Sequence, residues 1–151
     1  MFSKTCEYAI RASLYLALHN GEVLRTDEIA HAIGAPLPIT GKTLQVLAKR
    51  SLIHSVKGPN GGYTFTEDHK QVTLHDVVSA CDGDTMFSRC FIGLDKCNSK
   101  QPCPLHDEFV KVRKRILKLV DSKTVLQFSR QMRKEGTLDF NVLRELRKAT
   151  P

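Results

Sequence analysis

The run Lys57-Gly58-Pro59-Asn60-Gly61-Gly62 constrains this chain more than any other segment. Three glycines and a proline between two apolar stretches leave room for little except a tight hairpin turn. Leu52–Val56 reads as one strand and Tyr63–Thr66 as the other, with Asn-Gly and Gly-Gly expected to supply the positive φ of the turn. Upstream, Ser3 is placed to cap a first helix running to about His19, with Gly21 beyond its end. Thr26 caps a short second helix carrying Asp27 and Glu28 in its first turn, where carboxylates suit the helix dipole. A turn over Ala35–Pro38 leads to a third helix at Thr40–Ser51, with Leu44, Leu47 and Ala48 inward. Two short helices, a tight turn and a basic hairpin directly afterwards predict a winged helix-turn-helix.

Charge supports that reading. The net charge of +7 is unevenly spread: +3 over residues 1–66, −3 over 67–89 and +7 over 90–151. Between Ile29 and Thr66 there is no acid, while Lys42, Lys49, Arg50 and Lys57 are present. Such a stretch suits a polyanion, because each phosphate neutralised releases condensed counterions. On the third helix Lys42, Gln45 and Lys49 recur at spacings of three and four, with Thr40 and Thr43 beside them. Gln can read adenine through two hydrogen bonds, and Lys and Thr can hold phosphates or base edges. The expected contacts with double-stranded DNA are therefore Thr40, Lys42, Thr43, Gln45 and Lys49, joined by Lys57, Asn60 and Gly61 of the wing.

Beyond the wing, Thr73 and Asp76 form a capping-box pair for a helix reaching about Cys81. Pro104 suits the first turn of a long helix to about Val120. Its residues Leu105, Phe109, Val112, Ile116 and Leu119 recur at spacings of four and three, the seam of a helix pair, opposite Lys111, Arg113, Lys114, Arg115 and Lys118. A further amphipathic stretch covers Ser122–Met132, and a basic tail helix includes Leu138, Val142, Leu143 and Leu146. The chain thus divides into a winged head over 1–80, a cysteine-rich loop over 81–103, a dimerisation helix region over 104–132 and a basic tail over 133–151. The fold class is mainly α with a small β-hairpin.

Of five cysteines, Cys6 and Cys81 fall within helices as small apolar fillers. The others form Cys90-x6-Cys97-x5-Cys103-x2-His106: three thiolates and an imidazole, enough soft or borderline donors to close a metal site. Spacing alone leaves zinc, an iron–sulfur cluster and reversible disulfides open. No Ser-His-Asp ordering, phosphate-cradling loop or paired carboxylates stand out, so the chain is read as a non-enzyme. The longest stretch free of charged residues is Ile29–Gly41, thirteen residues with two prolines, too short to span a membrane. Lys4, Glu7 and Arg11 interrupt the N-terminus, so no signal peptide is expected and the protein is placed in the cytoplasm.

The stretch Phe2-Ser3-Lys4 to Glu7-Tyr8-Ala9-Ile10-Arg11, the wing Val56–Tyr63 and the run Cys103-Pro104-Leu105-His106 resemble the Rrf-two family of bacterial winged-helix regulators, over roughly residues 1–130. The likeness is to its iron–sulfur members of the IscR and NsrR type. It implies a homodimer joined by the long helix on a two-fold-related operator, and a 2Fe–2S or 4Fe–4S cluster held by Cys90, Cys97 and Cys103. The fourth ligand it implies is either His106 or an acid of the partner's first helix matching Glu7. A member without a cluster, using structural zinc or a thiol- or partner-based signal, is the alternative. Two departures stand out. One more residue separates Cys90 from Cys97 than in those members, which leaves the cluster type open. The recognition helix reads Thr43-Leu44-Gln45-Val46 where many members have Tyr-Leu-Glu-Gln, so no operator carries over.

Overall fold

A computed structural model describes residues 2–94, 100–136 and 140. Helix α1 (Lys4–Leu18) opens where the Ser3 hydroxyl accepts from the Cys6 N–H at 3.1 Å. It runs through the centre of the molecule, burying Cys6, Ala9, Ala12 and Leu16. Alanines on this face let α3, α4 and α7 approach the helix closely. Helix α2 (Thr26–Ala32) begins one residue beyond Arg25, which is its N-cap; Thr26 is not. The Glu28 carboxylate accepts from the Arg25 N–H at 2.7 Å, so the end is satisfied without a capping hydroxyl.

Helix α3 (Leu37–Lys49) starts three residues earlier than the sequence pattern suggested. The reason is Pro38. A proline in the first helical turn gives up an N–H that has no intrahelical acceptor there, so it initiates the helix instead of delaying it. Gly34, at φ +63°, makes the turn between α2 and α3, and Ser51, at φ +58°, stands two residues beyond the end of α3.

The wing follows as β1 (His54–Val56) and β2 (Gly62–Thr64), antiparallel, with Ser55 opposite Tyr63. Leu24 lies along the other edge of β2: its N–H donates to the Tyr63 carbonyl at 2.9 Å and its carbonyl accepts from the Tyr63 N–H at 2.8 Å. Of the wing glycines, only Gly58 has a positive φ, +106°. Gly61 and Gly62 are demanded by close approach instead. A Cβ on Gly61 would lie 2.4 Å from the Val56 carbonyl oxygen, and one on Gly62 would lie 2.2 Å from that of Leu24.

A 3-10 turn (Glu67–His69) leads to α4 (Leu74–Asp82), capped by the expected Thr73–Asp76 box. The Asp76 N–H donates to the Thr73 hydroxyl at 3.1 Å, and the Thr73 N–H donates to the Asp76 carboxylate at 2.7 Å. The core gathers Leu16, Ile29, Ile33, Leu44, Leu47, Ile53, Phe65 and Val77 around α1. The short α5 (Thr85–Ser88) precedes the cysteine region, and α6 (His106–Asp121) follows it. Pro104 lies just before α6, not within it. Helix α7 (Val125–Glu135) is capped by Thr124 and closed by Gly136, a later span than the expected Ser122–Met132. Of the expected tail, residues 133–136 complete α7 and its cap, and Phe140 is described beyond them. It is buried with its ring edge-on to Tyr15, 5.4 Å between centroids; the rest of the expected tail helix lies outside the described residues.

Helix α6 packs on α4 and α5 yet buries only Val120. Part of its apolar stripe faces outward, with Leu105 and Val112 about half exposed and Leu119 at 70%, while Phe109 and Ile116 are half-buried. Among the described residues no helix is long and apolar enough to cross a membrane.

Candidate nucleic-acid interface and cysteine site

The outer face of α3 is a basic and polar ridge. Lys42, Gln45 and Lys49 are all exposed on it, as expected. Pro38 is exposed one turn before Lys42 and extends the ridge at spacings of four, three and four. Sequence reasoning missed it by starting the helix too late.

Thr40 and Thr43 are not on this ridge. They are 0% and 1% exposed, on the side that carries Leu44 and Leu47. Their hydroxyls donate to carbonyls of their own helix, Thr40 to Pro36 at 3.0 Å and Thr43 to Ile39 at 2.8 Å. A buried hydroxyl that finds the carbonyl one turn back is satisfied without solvent, so both threonines serve the core and leave the DNA-facing set.

At the wing tip Lys57 and Asn60 are exposed. Gly61 is half-buried, and its N–H donates to the Gly58 carbonyl at 2.9 Å within the turn. That donor is unavailable to a phosphate, so Gly61 shapes the wing. The base of the wing rests on His69. Its Nδ1 accepts from the Thr66 N–H at 3.0 Å, and its ring lies 5.5 Å from that of His54 on β1. Burial, helped by the neighbouring His54, lowers the His69 pKa.

The cysteines separate into two kinds. Cys6 is fully buried, and burial, with Asp82 close by, pushes its thiol up to about 12. Burial likewise pushes Cys81 up to about 11. Both are held protonated, as apolar fillers should be.

Cys90 lies in a turn on α6. Its carbonyl accepts from the Gly93 N–H at 3.0 Å, and its N–H donates to the Leu94 carbonyl at 3.2 Å. Arg113 of α6 fastens this turn by donating to the Arg89 carbonyl at 2.9 Å, with its guanidinium 5.3 Å from the Phe109 ring centroid. The rings of Phe91 and Phe109 meet edge-on at 5.2 Å. Cys90 is thereby buried against α6, and the Nε of Arg113 beside this turn is a buried donor without a hydrogen-bond partner among the described residues. Cys103 and His106 stand together where α6 begins, the His106 N–H donating to the Cys103 carbonyl at 2.9 Å.

Cys97 lies outside the described residues, and among the described residues no three His, Cys, Asp or Glu side chains gather as a metal site. Glu7 is on α1 with Lys4 at 2.8 Å, and the hydrogen bond from that ammonium holds its carboxyl below the usual carboxylate range. The donor chemistry still suits an iron–sulfur cluster: thiols at both described ends of the loop, an imidazole beside one, and an orphaned cationic donor beside the other.

One residue the sequence left among scattered histidines joins these parts. His75 of α4 faces Asp84, just before α5, at 3.3 Å and Asp121, the last residue of α6, at 3.0 Å. These pairs span nine residues or more and leave no periodic trace in the sequence.

The family profile Rrf2, described as iron-dependent transcriptional regulator, matches residues 2–131. The HTH-type transcriptional regulator IscR of Sodalis glossinidius is 30% identical over 121 residues, which cover 80% of this chain and 73% of that protein. Among solved structures, CymR, the global cysteine regulator of B. subtilis, is similar with a TM-score of 0.73 at 17% identity, covering 87% of this chain and 97% of its own. IscR of T. potens is similar with a TM-score of 0.70 at 22% identity, covering 91% of each chain. Both likenesses are of fold.

Proposed function

Because the chain belongs to the Rrf2 family of transcriptional regulators, we propose that it binds a two-fold-related operator as a homodimer and senses an iron–sulfur cluster. The observation that carries the DNA reading is the exposed ridge Pro38, Lys42, Gln45 and Lys49, which lies in an acid-free stretch and is followed by the wing residues Lys57 and Asn60. Helix α3 enters the major groove, Gln45 addresses a base edge, and the lysines hold phosphates. The exposed stripe Leu105, Val112 and Leu119 supports pairing of α6 with its copy, since a single helix leaves that seam in water. Such a dimer, working in the cytoplasm on chromosomal DNA, presents two heads to two half-sites.

Cys90, Cys97 and Cys103 would hold the cluster. His106 is the favoured fourth ligand because it stands beside Cys103 at the start of α6, with Glu7 of the partner's first helix as the alternative. When bound, such a cluster supplies one-electron redox chemistry and reactivity toward oxidants and nitric oxide. The chain's own residues carry the consequence. The loop is tied to α6 through Arg113 and Phe109, and α6 is tied to the head through His75. A change in the loop alters operator affinity only by the free-energy difference it imposes between two arrangements of these contacts.

Anaerobic purification with iron and sulfide assays tests the proposal. Coloured protein containing both is expected. Colourless protein with stoichiometric zinc would establish the cluster-free alternative.

A further inference from the structure

Beyond Leu37 at its first position, the recognition helix carries two apolar side chains that lie outside the core. Ile39 and Val46 are each 38% exposed, and neither joins the hydrophobic core. With Lys42 and Lys49 they recur at spacings of three, four and three, so one edge of α3 alternates apolar, cationic, apolar, cationic. Single exposed aliphatic residues are ordinary. This pair is less so, because β-branched residues are mediocre helix formers and each leaves over a third of its surface in water outside the core.

The major groove offers such side chains one apolar group, the 5-methyl of thymine. We infer that Ile39 and Val46 read thymine methyl groups, so that the half-site carries thymines at two positions near the adenine addressed by Gln45. Two helical turns separate the two side chains, about 10 Å, the rise of about three base pairs. The intervening Lys42 then falls between the two methyl contacts and reaches a phosphate or a guanine edge. This inference rests on the reading of α3 as the DNA-contacting helix.

Selection of bound sequences from a randomised duplex pool by the full-length protein gives the preferred site. Anisotropy titrations at fixed salt then compare thymine with deoxyuridine at each preferred thymine, which removes the methyl and keeps the pairing. At two positions the exchange is expected to weaken binding about threefold to fivefold, the worth of one buried methyl. Val46→Ser should abolish the loss at one of them and Ile39→Ser at the other, and each should weaken binding to the preferred site more than binding to random duplex. Equal binding of thymine and deoxyuridine duplexes by the unaltered protein would overturn the inference, as would a loss that persists in both variants. Failure to enrich any sequence strikes at the DNA reading itself, and the inference falls with it.

Discussion

His75 Nδ1 lies 3.0 Å from the Asp121 carboxylate, which joins the head to the last residue of α6, while its Nε2 faces Asp84 at 3.3 Å. The ring also packs edge-on against Phe87 of α5, 5.1 Å between centroids. One side chain therefore meets the start of the cysteine region and the end of α6 together. His75→Ala removes both carboxylate contacts and the ring contact. The carboxylates are largely solvated, so the loss is expected at about 1 kcal/mol, a fall of roughly 2–4 °C in melting temperature. The more telling measurement is amide exchange. Protection should drop in residues 84–94 and at the end of α6 while β1 and β2 stay protected; a uniform drop would make His75 merely a stabilising residue.

The ridge and the core of α3 separate by substitution. Lys49→Ala should weaken binding to every duplex and flatten its salt dependence, because a lost phosphate contact carries no sequence information. Gln45→Ala should relax preference at one position per half-site by about 1–3 kcal/mol. Thr43→Val keeps the volume but removes a hydroxyl that serves only the Ile39 carbonyl, so DNA affinity should stay within about twofold while stability changes by about 1 kcal/mol. Titration against specific and random duplexes distinguishes the three, and a large specific loss for Thr43→Val would return that residue to the interface.

What the sequence made legible was local. The Thr73–Asp76 box, the Gly-rich wing and the 3.6-residue periodicity of α1 and α3 are each written in a few neighbouring residues, and the structure reproduces them. Errors arose where a residue type has two uses. Thr40 and Thr43 looked like polar surface because a hydroxyl can serve either water or a helix carbonyl. Gly61 and Gly62 looked like φ residues, but what demands them is the approach of Val56 and Leu24, which the turn sequence does not display. Pro38 looked like a break and is a helix start. At the cysteine site the spacing named the donors, whereas Arg113 and His75, both long-range partners, were beyond pattern reading.

Acid should loosen the base of the wing. Burial keeps the His69 pKa below its ordinary value of about 6.5. The unfolded chain therefore takes up a proton that the folded chain refuses. The stabilising contribution is complete above about pH 6.5 and is lost progressively as pH falls through the folded-state value. Thermal melts between pH 5 and 8 should show stability falling toward acid. His69→Gln should reduce that slope and lower the plateau at neutral pH, since the Thr66 N–H loses its ring acceptor. An unchanged slope in the variant would place the acid sensitivity elsewhere.

Arg113 is expected to be the residue that keeps the Cys90 turn in place. Its fork donates to the Arg89 carbonyl while its face lies over Phe109, which itself meets Phe91. Arg113→Gln removes the guanidinium plane and the charge together. Arg113→Lys restores charge without the planar fork and should rescue little, because an ammonium cannot reproduce both the stacking and the directed hydrogen bond. Amide exchange in residues 89–94 should accelerate severalfold in both variants, with the head unaffected. In protein reconstituted with iron and sulfide, loss of iron to a chelator should quicken in both, more than melting temperature changes. The Arg113 Nε, buried and without a partner among the described residues, supports that outcome, since a buried cationic donor gains an acceptor when anionic sulfur is present. Chelator kinetics matching the unaltered protein in Arg113→Lys would show that charge alone suffices there and that the stacked geometry is incidental.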